Sequence, residues 1–261
     1  MLSMILTNFI IMLIIFVFVW GISVIIRNAS IVDILWGPGC AGPAVLTYFL
    51  ADGAEPRALV LTVLTALWGG RLGLYLARRN LGHGEDFRYV AMRESVERKG
   101  GNFVIWSLYR VFLLQLFIAF FVSLPTQVGQ IGGSGSLGLL AMAGILVFGI
   151  GLFFEAIGDW QLRQFKADPA NKGKLMTKGL WSWTRHPNYF GDAAVWTGLT
   201  MIALESPWGW MTILSPALMI FFLYSVSGKA LLERSMAKKY PEYSDYKRRT
   251  SGFFPLPPKK A

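Results

Sequence analysis

Long uncharged stretches alternate with short, charged ones along this chain. Residues 4–26 contain no Asp, Glu, Lys or Arg, and neither do residues 111–154, although the latter include a polar loop. A run of about 18 or more apolar residues can cross a hydrocarbon core roughly 30 Å thick. The pattern predicts an all-α, polytopic membrane protein of about seven transmembrane helices, at 4–26, 31–51, 57–78, 104–125, 136–158, 188–205 and 207–227. The link Glu205-Ser206-Pro207-Trp208 reads as a tight turn, and GQIGGSGS (129–136) as a flexible loop. Span 31–51 contains Asp33 and Gly37-Pro38-Gly39, so a break or bend is expected there. The N-terminal run has no basic residue before it and no clear small-x-small site, so it reads as a retained helix rather than a signal peptide.

Composition agrees: 54% of the 261 residues are hydrophobic and 15% charged, where a soluble domain has about 25% charged. The charges also orient the chain. Segments 78–101 and 159–186 carry six Lys or Arg each and 229–261 carries nine, together 21 of the 25. The opposite loops, near 52–56, 126–135 and 205–206, have none, and Arg57 only borders the first. The positive-inside rule then puts the N-terminus outside and the C-terminus in the cytoplasm. The net charge of +10 is accounted for by basic loops facing anionic membrane lipids. No nucleic-acid-binding pattern accompanies it. The single Cys40 allows no intramolecular disulfide, and two histidines without a nearby cluster imply no metal site.

Ionisable groups inside a bilayer are expensive and usually functional. Asp33, Arg71, Arg110, Glu155, Asp159 and Asp192 fall within or at the edges of the spans, all toward the cytoplasmic half. Helix-pairing is the bland alternative for each, for instance Arg71 with Asp33, and Arg110 can snorkel to the interface. Their gathering at one face favours a pocket open to the cytoplasm over a through-channel.

The richest stretch is 158–192. Asp159, Arg163 and Lys166 are spaced to share one helix face. The turn-rich loop ADPANKG (167–173) follows, and then RHPNYFGD (185–192). Pro187 suits the first turn of a helix, whose N-terminus with Arg185 and His186 beside it suits an anion. Asn188 and Asp192 share a face and can read hydroxyl or amide groups, with Tyr189 between them. A polar, phosphorylated ligand beside an apolar cavity is the expectation.

RHPNYFGD, preceded by KGLW (178–181) and DWQLRQFK (159–166), resembles the C-terminal part of the steroid 5α-reductase family, in its bacterial branch. The tail LLERSMAKKYPEYSDYKRRTSGFFPLPP (231–258) resembles the same branch. The likeness covers roughly 140–258, and isoprenylcysteine carboxyl methyltransferases share a similar stretch and tail. It implies an N-terminal transmembrane half on the substrate side (1–135) and a C-terminal reductase-like domain (136–261). It further implies NADPH contacted by Asp159, Arg163, Lys166, Asn188 and Asp192, with Arg185, His186 and Tyr189 beside them. Glu233, Arg234, Tyr243 and Tyr246 of the tail would close over the cofactor.

The family reduces a carbon–carbon double bond conjugated to a ketone, using a glutamate on an early helix and a tyrosine on a later one. LWGGRLGLY (67–75), aligned on Arg71 and Tyr75, puts Trp68 at the tyrosine's place, and an indole cannot act as a phenolic acid. Asp33 is the stand-in for the glutamate, Tyr75 or Tyr89 could supply a phenol, and Arg71 would orient Asp33. GHGEDFRYVAMRE (82–94) reads as a solvated connector or a cytoplasmic lid. The expected function is an NADPH-dependent reductase of an apolar, steroid-like or other enone lipid, in a bacterial inner membrane. The alternatives are a methyltransferase using S-adenosylmethionine and a non-catalytic lipid-binding protein. Oligomeric state stays open.

Overall fold

A computed structural model describes residues 1–51, 55–132, 136–223 and 229–259, with side chains left aside at 229–231. The chain is helical: α1 (Leu2–Ile25), α2 (Trp36–Leu50) entered through a 3-10 turn (Ala29–Leu35), α3 (Pro56–Asn80) and α4 (Phe87–Arg98). There follow α5 (Phe103–Val122), α6 (Leu124–Val128), α7 (Leu139–Ala167), α8 (Leu180–Trp183) and α9 (Pro187–Ala203). The last are α10 (Leu214–Phe221), α11 (Lys229–Lys239) and α12 (Tyr243–Arg249). Among the described residues the only β pairing is an isolated bridge, Thr184 to Ser251.

Among the described residues, five helices are long and apolar enough to cross a membrane: Leu2–Ile25, Ala29–Leu50, Pro56–Asn80, Phe103–Val122 and Leu139–Ala167. The expected span 188–205 is the 17-residue Pro187–Ala203. The expected span 207–227 is the shorter apolar Gly209–Phe221, its residues 224–227 lying outside the described ones. In the loop expected at 129–136, residues 133–135 also lie outside them.

The chain forms two compact units: unit 1 is Met1–Gly138 with Ile202–Thr212, and unit 2 is Leu139–Met201 with Ile213–Ala261. In unit 1, α1 buries only one narrow stripe, Asn8, Met12, Phe16 and Ser23. Its other faces expose Leu6, Ile10, Ile14 and Phe18, the apolar surface a bilayer would cover. α2 and α3 meet backbone to backbone. A Cβ on Gly37 would lie 2.1 Å from the Gly69 carbonyl oxygen, and one on Gly69 would lie 2.5 Å from that of Gly37. Small residues at a crossing allow this approach. The bend expected near 37–39 falls just before them, where the 3-10 turn becomes α2 at Trp36. Arg57 is buried: Nε donates to Gly129 O at 2.9 Å, Nη2 to Gly132 O at 2.6 Å and Nη1 to Glu205 O at 3.3 Å. It ties down the loops that the charge pattern left uncharged.

Unit 2 repeats the device with heptad spacing. Gly144, Gly151 and Gly158 recur on one face of α7, and Gly191 and Gly198 on α9. A Cβ on Gly151 would come 2.6 Å from Gly191 O, and one on Gly198 would come 2.5 Å from Gly144 O. Two turns of helix between contacts hold the pair close along its length.

Candidate functional site

In unit 1 the polar groups converge on the 3-10 turn. Asn28 caps it, its Oδ1 accepting from Ser30 N at 3.0 Å. The turn is then gripped from two sides: Asn80 Nδ2 donates to Ser30 O at 3.2 Å, and Ala29 N–H donates to Glu85 Oε1 at 2.6 Å. Asp86 N–H also donates to Ser30 Oγ at 3.3 Å. Segment 82–94 is therefore docked on the turn rather than a solvated connector.

Docking brings α4 over Asp33. Tyr89 Oη donates to Asp33 Oδ1 at 2.6 Å, while Arg88 Nη2 at 2.8 Å and Arg79 Nη2 at 3.5 Å reach Oδ2. Gln115 Nε2 donates to the same phenol oxygen at 3.3 Å, and Trp36 Nε1 holds Gln115 Oε1 at 2.7 Å. Gln115 lies just past a π-helical segment of α5, Leu108–Leu113, a feature frequent at functional sites. Burial, then the charge and hydrogen bond of Asp33, push the Tyr89 phenol well above its ordinary range, so it stays protonated. Burial alone would raise Asp86, but hydrogen bonds from Arg88 outweigh it and hold that carboxyl low. Burial would lower Arg88, but Asp86 and Asp33 raise it further.

The other residues expected at the reacting end lie on α3. Trp68 is fully buried, and the Arg71 guanidinium sits 5.7 Å over the Tyr75 ring. Spacings of three and four put these on one stripe of α3. The stripe that meets α2 and the 3-10 turn is a different one, carrying Gly69, Gly73 and Asn80. Tyr89 is the phenol hydrogen-bonded to Asp33.

In unit 2 the motif residues divide into two groups. Glu155 and Asp159, both buried, stand one turn apart on α7. Asn188 Nδ2 donates to Asp159 Oδ1 at 3.2 Å, and a Cβ on Gly191 would lie 2.5 Å from Glu155 N. Asn188 and half-buried Asp192 thus occupy turns of α9 level with the two carboxylates. Arg163 and Lys166, toward the end of α7, are exposed, as is Arg234 on α11.

The second group is a clasp. Gly179, at φ 62°, starts α8, whose Leu180 N–H donates to Gln161 Oε1 at 2.9 Å. The following residues pair with the C-terminal tail: Thr184 Oγ1 donates to Phe253 O at 2.9 Å, and Arg185 N–H to Ser251 O at 2.9 Å. Tyr246 Oη donates to Trp181 O at 2.5 Å. The Arg185 guanidinium reaches Glu233 Oε1 through Nε (3.0 Å) and Nη2 (2.9 Å), and through Nη1 the carbonyls of Thr250 (2.6 Å) and Lys247 (3.2 Å). His186 Nε2 lies 3.3 Å from the same carboxylate oxygen, and its ring stacks on Tyr189 at 5.3 Å. Burial would raise Glu233, but hydrogen bonds from His186 and Arg185 outweigh it and hold the carboxyl down at about 2. Burial and the Glu233 charge push Tyr243 up to about 12, and burial with neighbouring Tyr243 raises Tyr246. Arg185, expected beside the cofactor, thus has protein partners for its donors.

Nothing in the sequence pattern singled out Arg79, Arg88 or Gln115. The polar density of 82–94 was the available signal there, and Tyr89 was one of the two phenols, with Tyr75, that the family resemblance left open. Among the described residues no three His, Cys, Asp or Glu come together as a metal site.

Apolar spans, glycine-packed helix pairs and buried polar clusters define a membrane-embedded helical protein. A family model described as a protein of unknown function, DUF1295, matches residues 19–250, and the chain belongs to that family, within the steroid 5α-reductase-like superfamily. It is 26% identical to the uncharacterized protein C594.04c of Schizosaccharomyces pombe, covering 90% of this chain and 75% of that one. It is 34% identical over 88 residues to the probable O-methyltransferase ustE of Ustilaginoidea virens, covering 34% of this chain and 29% of the other. No solved structure matches.

Proposed function

We propose that the protein is an NADPH-dependent membrane reductase of a carbon–carbon double bond conjugated to a carbonyl, in an apolar lipid or steroid-like substrate. The observation that carries this reading is the Tyr89–Asp33 pair: a protonated phenol 2.6 Å from a carboxylate, steadied by Gln115. The phenol's single proton is donated to Asp33 here; with substrate bound it would turn to the ketone oxygen and donate there as negative charge develops. Asp33 and Gln115 orient it, and Arg88 and Arg79 balance the Asp33 charge.

The donor set of unit 2 fits NADPH. Glu155, Asp159, Asn188 and Asp192 suit ribose hydroxyls and the nicotinamide amide, and exposed Arg163 and Lys166 suit phosphates. When bound, NADPH would supply the hydride to the β-carbon, and a proton at the α-carbon completes the reduction. On the positive-inside rule the basic segments would face the cytoplasm, which favours this chemistry on that side, and the proposed setting is a bacterial inner membrane.

A second reading, a methyltransferase using S-adenosylmethionine, is favoured by the 88-residue likeness to the probable O-methyltransferase. The carboxylates of unit 2 would suit a sulfonium equally. Calorimetric titration of the detergent-solubilised protein with each cofactor separates the two. Saturable NADPH binding and enone-dependent NADPH oxidation are expected. S-adenosylmethionine binding in the absence of NADPH binding would overturn the reductase reading.

A further inference from the structure

α4 serves two purposes. Tyr89 faces Asp33, while Arg93 pairs with Glu85 at 2.9 Å and stacks over Phe103 at 4.1 Å. These contacts fix the helix against the start of α5. Beside them, between α4 and the first turn of α5, lies an open groove of about 510 Å³. Its walls are Ala91, Met92, Val96 and Trp106, and its polar groups are Ser95 and Lys99. Lys99 immediately follows α4, so the cation sits at that helix's C-terminal end.

We propose that this groove binds one anionic phospholipid, with the acyl chain on the apolar walls and the phosphate on Lys99. Two observations point to that occupant. The helix that supplies Trp106 to the groove, α5, is long enough to span a bilayer and exposes the apolar Val104, Ile105 and Tyr109. An occupant must therefore be at home in the bilayer. The charge supplies the rest: Lys99 adjoins Arg98, in a segment with a surplus of basic residues, so the head group should be anionic. Trp106, lining the groove in the first turn of the span, is the amphipathic side chain expected at head-group level. None of these residues belongs to the Asp33 cluster, so the site stands whichever chemistry the protein performs.

The test is native mass spectrometry of the full chain, delipidated in mild detergent and offered phosphatidylglycerol or phosphatidylcholine of identical acyl chains. Wild type should retain one phosphatidylglycerol, preferred over phosphatidylcholine by about fivefold, the scale of one lysine at an anionic surface. Lys99→Glu, an exposed position, should abolish the preference while leaving the melting temperature unchanged. Ser95→Trp should fill the groove and lower occupancy by both lipids. In vesicles of acyl-brominated phosphatidylglycerol, the wild type should lose more fluorescence than Trp106→Phe. Equal retention of the two lipids by wild type and Lys99→Glu overturns the proposal. So does a dimer that Ser95→Trp dissociates, which would make the groove an interface between copies.

Discussion

Each unit holds a carboxylate between cations, and the two arrangements differ in what they leave accessible. In unit 2, Glu233 and Arg185 are enclosed together, with side chains 13% and 7% exposed. In unit 1, Asp33 is 12% exposed, but its arginines, Arg88 and Arg79, are 43% and 45% exposed. The first is a closed clamp that joins three chain segments. The second is a carboxylate whose arginine partners keep one side in water and whose phenol donor is itself held by the half-buried Gln115 amide. A charge that holds a fold together gains from enclosure, whereas one that handles a substrate needs partners able to rearrange.

The largest effect should come from breaking the clamp. Arg185→Ala leaves Glu233 facing only His186 and strips two backbone carbonyls of donors, so unfolding should become easier by about 3–5 kcal/mol. Thermal melts in detergent measure this. The clamp also has an acid signature. Glu233 is held at about 2, below its ordinary 4.5, so its stabilisation is complete above 4.5 and is lost as pH falls through about 2. Glu233→Gln should flatten that part of the acid-side profile. A variant that melts like wild type would erase the distinction between the two units.

Neutralising the other carboxylate should do the reverse. Asp33→Asn keeps an acceptor for Tyr89 and leaves two arginines that water can solvate, so stability should change by about 1 kcal/mol or less. Enone-dependent NADPH oxidation should fall by about 10²-fold or more. If stability collapses and activity in the surviving protein does not, the Asp33 cluster is a second clamp.

These contrasts were only partly legible in the sequence. Residues 4–26 and 111–154 announce their spans because charge is excluded from hydrocarbon over a length that nothing else mimics. Asp33, Glu155 and Asp159 were visible as ionisable residues within or at the edges of apolar runs. The partners were not. Arg88 and Tyr89 reach Asp33 only because segment 82–94 folds back onto a turn more than fifty residues earlier, and no local period encodes that. Arg185 looked like an anion ligand because its neighbours resemble one. Its actual partners, Glu233 and the carbonyls of Lys247 and Thr250, depend on where the tail returns. The glycine seams at Gly37–Gly69 and Gly151–Gly191 were written as heptads and pairs, yet a glycine in an apolar run carries no sign of what it meets.

Tyr89→Phe should fall between the first two. Removing a hydrogen bond to a charged group costs about 1.5–3 kcal/mol, and activity should drop by about tenfold or more. The alkaline profile supplies a second check. The phenol is raised above the ordinary value near 10, so its contribution is whole below pH 10 and is lost as pH climbs through the folded value. Wild type should therefore lose stability above pH 10, and Tyr89→Phe should lose less. An activity profile that titrates with a phenol below pH 10 would contradict a proton held so tightly.

The smallest effect sharpens the division within unit 2. Arg185 and Arg163 both belong to the phosphate-binding reading of the sequence, but only Arg163 is exposed. An exposed cation contributes up to about 1 kcal/mol to an ion pair, so Arg163→Ala should weaken NADPH binding by up to about fivefold. The melting temperature should stay fixed. Because the contact is solvent-facing, raising salt should shrink the difference between wild type and variant. Folded Arg185→Lys protein makes the decisive comparison. If the clasp is structural, its NADPH affinity should match wild type under conditions where it remains folded. If Arg185→Lys instead loses affinity without loss of stability, then Arg185 contacts phosphate after all, and unit 2 would be a binding site closed by its ligand rather than by its own tail.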